Sequence, residues 1–117
     1  MRFPHEISPE ARAEIVGILL HSEAEFGPAA RDRYEALVST AIADITANPN
    51  RVESRARPEL GWGIRSWHLR LSRFRARTPT GIVNQPRHFI FYRVEAGIVV
   101  IGRVLHDSQD ARRHFGK

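Results

Sequence analysis

The spacing of apolar positions changes twice along the chain, and each change separates one kind of element from the next. Residues 2–7 are short and loosely apolar, with Phe3 and Ile7 flanking Pro4. That composition suits an edge strand, because proline cannot donate to an interior ladder. Ser8-Pro9-Glu10 then supplies a helix N-cap, a proline for the first helical position and an acid for the first turn. Ile15, Val16, Leu19 and Leu20 follow at three- and four-residue spacing, predicting a helix to about Ala24 with one face toward a core. Phe26-Gly27-Pro28 ends that helix and opens a second. Along it Tyr34, Leu37, Val38, Ala41, Ile42 and Ile45 keep one face until Asn48-Pro49. The two form a helical hairpin, and stripes of this kind are core faces far more often than membrane or coiled-coil seams.

Residues 50–63 are charged and lack any period, a long connection for a compact domain. Alternation begins at Ile64: Trp67, Leu69 and Leu71 point one way, Ser66, His68 and Arg70 the other, which predicts a half-buried strand over residues 64–71. Residues 73–86 are irregular again, with turn signals at Thr78-Pro79-Thr80-Gly81 and Asn84-Gln85-Pro86. The strongest signal comes last. Residues 88–94 and 98–105 are β-branched and aromatic runs joined by Glu95-Ala96-Gly97, the composition of a tight β-hairpin. Both runs are apolar on both faces, with Phe89 and Phe91 against Ile90, Tyr92 and Val94, and Val99 and Ile101 against Ile98, Val100 and Val104. These strands should therefore be interior and covered. Asp107 or Ser108 can cap one or two final helical turns. The fold class is α+β in a single domain over residues 1–117: an N-terminal strand, a helical hairpin and a three-stranded antiparallel segment completing a small sheet.

Charge divides the same chain unevenly. Residues 1–50 hold four Arg and eight acids, whereas residues 51–117 hold thirteen Arg, one Lys and five acids. The sheet half is therefore the basic half. Seventeen of eighteen basic residues are Arg, a bias that suits forked binding of carboxylate or phosphate and equally follows from a GC-rich genome. The chain has no cysteine, so disulfides and thiolate metal sites are excluded. Its start resembles no signal peptide, and no run approaches the ~20 apolar residues of a membrane span. A cytoplasmic protein without membrane contact is expected.

Candidate chemistry is of two kinds. Residues 65–77 interleave arginines with Trp67 and Phe74, and Trp62 lies just before them. Such a strip can bind single-stranded nucleic acid or an acidic protein, although the phase of Trp67 with Leu69 favours a core position. The second set is Arg87, Arg93, Arg103, His106, Arg112, Arg113 and His114. Histidines able to exchange protons near neutral pH, beside arginines able to hold a phosphate, are the parts of a metal-free RNA-cleaving site. Solvated tail histidines are the plainer reading. His5, His21, His68 and His88 show no metal-ligand spacing, and no nucleophile elbow, phosphate loop or dinucleotide fingerprint occurs. No cofactor or metal is expected.

The order strand, helix, helix, sheet, together with SWHLRLSRFRA, RHFIFYRVEAGIVVIGRVLH and the ending HDSQDARRHF, resembles the ParE branch of the ParE/RelE toxins of bacterial toxin–antitoxin modules. The likeness covers nearly the whole chain. It implies a small toxin neutralised by a cognate ParD-like antitoxin, with DNA gyrase as target and DNA met only through the trapped gyrase. On this reading the chain is not an enzyme. Arg103, His106, Arg112, Arg113, His114 and Phe115 meet the target, while Trp62, Trp67, Leu69 and Phe74 meet the antitoxin. The alternative implied by RelE-like relatives is a ribosome-dependent mRNA endonuclease with Arg87, Arg93, Arg103 and His106 around the scissile phosphate. Against it, Lys is confined to Lys117, and the tail has Phe115 where those enzymes use a tyrosine. A third reading is an RNA-binding module without toxicity.

Overall fold

Ser8 starts the helical part as its sequence predicts: its backbone is extended, and its hydroxyl accepts the Ala11 N–H at 3.0 Å. In this computed structural model, which describes residues 2–115, the short strand β1 (His5–Ile7) precedes helix α1 (Pro9–Phe26) and helix α2 (Pro28–Ala47). Gly27, at φ 93°, is at once the C-cap of α1 and the N-cap of α2. A single residue in a backbone region that only glycine enters cheaply thus turns the chain between two helices.

The inward face of α1 differs from the predicted stripe. Ala11 and Leu19 are buried and Ile15 and Ile18 pack beside them, whereas Val16 and Leu20 are exposed. Four residues at positions 15, 16, 19 and 20 span too wide an arc for one contact face, and the chain buries the half continuous with Ala11. Along α2 the expected stripe is buried from Leu37 to Ile45, and Tyr34 packs at its end.

Strands β2 (Arg55–Ala56), β3 (Arg65–His68), β4 (His88–Glu95) and β5 (Ile98–His106) complete one sheet in the order β1-β5-β4-β3-β2. Strand β1 runs parallel to β5, and every other pair is antiparallel. The β4–β5 turn is the two-residue loop Ala96-Gly97, both with positive φ, the mirror-image turn that matches strand twist. Strict alternation fails at one place in this hairpin. Phe91 opposes Arg103 but Tyr92 opposes Ile101, so Gly102 is the extra residue of a β-bulge. Val104 consequently shares the helix-covered face with Val99 and Ile101, not the face of Ile98 and Val100 that a period of two assigns it.

The two faces of the sheet are covered unequally. The helices cover Trp67, Leu69, Ile90, Tyr92, Val99, Ile101 and Val104. On the opposite face Leu60, Ile64, Phe91, Leu105 and Ala111 form a smaller core, with Phe89 and Phe115 at its margin. Its cover comes from two 3₁₀ turns, Pro58–Leu60 in the long connection and Ala111–His114 in the tail.

The strand predicted over residues 64–71 stops at His68 and becomes a 3₁₀ helix, Leu69–Arg75. Side chains explain the switch. The His68 ring accepts the Arg70 N–H at 3.1 Å, and the Trp67 indole donates to Ser72 Oγ at 3.0 Å. Ser72 in turn donates to the Asp44 carboxylate of α2 at 2.6 Å, and Arg75 grips that carboxylate through both terminal nitrogens. Asp44 is buried although it stands in an otherwise apolar stripe. This network pulls residues 69–75 onto α2 and seats Trp67 and Leu69 at 2% and 0% exposure. Neither can touch an antitoxin on the folded surface, which corrects the contact expected of them.

Removing either end of the network has unequal effects. Arg75→Ala leaves a buried carboxylate with only a hydroxyl partner, whereas Asp44→Asn keeps a polar group of the same shape and returns a half-exposed guanidinium to water. Losing one partner of a buried pair costs about 3–5 kcal/mol, and the exposure of Arg75 reduces this to roughly 1–2 kcal/mol. Urea unfolding should therefore rank Arg75→Ala as the less stable variant.

Candidate functional site

At the end of the hairpin remote from its turn, three strands, both helices and the tail bring together ionisable groups from distant parts of the sequence. Arg87 donates through Nε and Nη2 to Asp107 at 3.1 and 2.9 Å. Asp107 lies just beyond β5, and its backbone N–H donates to the Arg87 carbonyl at 2.8 Å. His68 Nδ1 accepts a backbone N–H, so its proton sits on Nε2 and is donated to Asp107 at 3.1 Å. The Arg87 fork, followed by His68, holds the Asp107 carboxyl down to about 2. Burial lowers His68 against the opposing pull of Asp107.

A second relay runs beside the first. The Tyr34 hydroxyl of α2 accepts the Arg87 N–H at 3.2 Å and donates to His88 Nδ1 at 2.7 Å. Burial raises the Tyr34 phenol. His88 and His106 oppose each other across the hairpin with perpendicular rings 5.2 Å apart. Burial first, then the neighbouring His106, pushes His88 down to about 4. Its neutral imidazole is what accepts the Tyr34 proton.

Arg103 lies on the other side of this end. Its Nε donates to Glu14 of α1 at 2.8 Å and its Nη2 reaches the same oxygen, while Nη1 donates to the His114 carbonyl at 2.9 Å. The second oxygen of Glu14 accepts the Val104 N–H at 2.7 Å. Phe115, one residue on, packs its ring 5.5 Å from Phe91. Between α1 and this end of β5 opens a cleft of about 340 Å³ lined by Gly17, His21, His88, His106 and His114. On the opposite sheet face a broader groove of about 620 Å³ lies among Arg55, Arg57, Phe89, Phe91, His106 and Arg112. The Arg57 guanidinium stacks 5.4 Å above the Phe91 ring in it. Among the described residues no group of three or more His, Asp or Glu converges to hold a metal.

The four residues of the alternative cleavage site do not meet. Arg93 pairs with Glu95 at 2.6 Å beside the turn, five residues of strand from His88, roughly 16 Å away at strand rise. Arg87 and Arg103 are both engaged by carboxylates. Of the residues expected to face a target, Arg112 and Arg113 are exposed, Arg112 beside Asp110 at 3.4 Å. His106, His114 and Phe115 are half-buried. Trp62 at 91% and Phe74 at 69% exposure are true surface aromatics, with Arg73 stacked 4.7 Å above Phe74. Sequence reasoning missed Glu14, Tyr34 and Asp107 as parts of this end. Glu14 carried a signal, since on the helix wheel it lies beside the inward residues Ala11 and Ile18.

A helical hairpin on one face of a small mixed sheet, followed by a basic tail, is a two-layer α+β arrangement. Its backbone superposes on a chromosomal ParDE toxin–antitoxin system from P. aeruginosa with a TM-score of 0.65 at 13% identity, covering 90% of this chain and 96% of that one. That likeness is one of fold. Curated proteins give no match to the sequence. Residues 6–111 match the family model described as the ParE toxin of the type II toxin–antitoxin system, parDE. The chain belongs to the ParE toxin family and is a toxin of the type II toxin–antitoxin class.

The lowered histidines make stability pH-dependent. His88 titrates near 6.5 when unfolded and about 4 when folded. Between those values the unfolded chain binds a proton that the folded one refuses, so stability is full above the upper value and falls as pH drops toward the lower. His68 acts in the same direction, and Asp107 extends the loss below about pH 4. After allowance for solvent screening, about 1–2 kcal/mol is lost through His88. Urea midpoints measured at pH 7.5, 5.5 and 4.5 should fall in that order, and His88→Leu should flatten the slope.

Proposed function

We propose that this toxin acts on DNA gyrase, binding it and holding it on cleaved DNA, and that a cognate ParD-like antitoxin neutralises it. Family membership supports the reading. The observation that carries it is the exposed Arg112-Arg113 pair on a tail that the body of the protein pins in place. Arg103, Arg75 and Arg87 are tied to carboxylates at Glu14, Asp44 and Asp107. The tail pair is therefore better placed to meet an acidic or phosphate-bearing surface, with His106 and His114 beside it.

Inducing the chain in bacteria should stop DNA synthesis before protein synthesis, with cleaved gyrase–DNA complexes accumulating. Arrest of translation first, with messages cut within codons, identifies the endonuclease alternative instead. Replacing both Arg112 and Arg113 by alanine should lower toxicity about tenfold or more, the scale of losing charged contacts at an interface. The melting temperature should stay unchanged because both side chains are in water. Truncation after Asp107 is a poorer test, since it also removes Ala111 and Phe115 from the smaller core.

For the antitoxin the candidates are the exposed apolar side chains Trp62 and Phe74, with Val16 and Leu20 on α1. Uncovered apolar area of this kind favours association. The two tryptophans report on it separately, because Trp67 is buried and Trp62 is not. Acrylamide should quench roughly half of the fluorescence of the toxin alone, and adding antitoxin should abolish most of that quenching. Persistent quenching of Trp62 in the complex places the antitoxin elsewhere.

A further inference from the structure

Arg103 was expected at the target, yet its guanidinium spends its donors inside the molecule. Three of its contacts go to Glu14 and the His114 carbonyl, and Nη2 also lies 3.4 Å from His114 Nδ1. The Arg103 and Glu14 side chains are each about four-fifths buried. Glu14 is equally committed: one oxygen takes the Arg103 fork, the other the Val104 N–H. This backbone donor lies past the point where β1 stops pairing with β5, at Ile101. The carboxylate thus substitutes for a strand at an open edge and orients a forked cation toward the tail.

We infer that Glu14 and Arg103 form a clasp that positions the C-terminal tail, and that toxic action depends on Arg103 through this positioning and not through contact with the target. The clasp is the polar link between α1, β5 and the His114–Phe115 end of the chain. The surface it holds in register is the exposed Arg112-Arg113 pair and the wall of the histidine-lined cleft formed by His114. Lysine cannot replace Arg103, because a single ammonium cannot reach a carboxylate on one side and a carbonyl on the other with fixed fork geometry. The activity part of the inference rests on the toxin reading given above.

The two roles for Arg103 predict opposite behaviour of Glu14. If Arg103 contacts the target, Glu14→Ala releases a guanidinium for that contact and toxicity persists. If Arg103 positions the tail, Glu14→Ala, Arg103→Lys and the double variant should each lose about tenfold or more in toxicity, without additivity, as for groups of one network. Glu14→Gln keeps an acceptor for the Val104 N–H and separates loss of the edge bond from loss of the charge. A readout independent of toxicity is trypsin cleavage after Arg112 and Arg113, followed by mass spectrometry on chains whose melting is cooperative. Faster cleavage there in Glu14→Ala and Arg103→Lys, with other sites unchanged, supports the clasp; unchanged cleavage overturns it. A toxic Glu14→Ala beside a harmless Arg103→Lys overturns the positioning role, and so does full toxicity in both with a loosened tail. If the wild-type chain arrests no growth, the functional reading fails by itself, and the cleavage rates still decide whether the clasp exists.

Discussion

The extra residue in β5 sets the geometry on which the working end of the molecule depends. Without the bulge at Gly102, the pleat would turn Val104 away from the helices and exchange the faces of Arg103 and Leu105. With it, Val104 enters the helix-side core and Leu105 the smaller core, and Arg103 opposes Phe91 on the face that the tail crosses. The Ser8 hydroxyl also donates to the Gly102 carbonyl at 2.7 Å. Thus the residue that caps α1 is tied to the bulge, and the first helix is indexed against the strand whose edge Glu14 completes. Sheet register, helix position and tail attachment are one constraint seen from three sides.

Charge in this protein serves chiefly to join elements. Asp44 fastens residues 69–75 to α2, Asp107 ties β4 to the tail and to β3, and Glu14 ties α1 to β5. Each carboxylate receives a planar fork, and each pairing joins segments far apart in sequence. This explains the preference for arginine more directly than solubility does, since one guanidinium can satisfy two partners at fixed angles. In the tail, by contrast, the arginines stay in water, Arg112 beside the likewise exposed Asp110.

Much of the fold was legible in the sequence because its signals are local. The Ser8 cap, Gly27, the stripe of α2 and the paired runs around Ala96-Gly97 act over a few residues, and the structure follows them. Three features escaped because their causes are remote. Residues 69–75 leave the sheet because Ser72 and Arg75 meet a carboxylate on α2, and no alternation of Leu69 and Leu71 announces that. Strand β2 is two exposed residues that pair only because β3 lies beside them. The bulge shifts a face without altering hydrophobicity. At the candidate site the basic residues were found by type, but their partners were not, so Arg103 looked available when it is occupied.

The smaller core gives the tail a significance beyond its charges. Leu60 and Ile64 of the long connection share their apolar contacts with Ala111 and, at the margin, Phe115. Fifty residues apart, these segments have little else to bury and so form one cooperative unit that opens and closes together, at a lower free energy than the helix-side core. Residues 111–115 belong to that unit, so its opening frees the surface of Arg112 and Arg113 while the helix-side core stays closed.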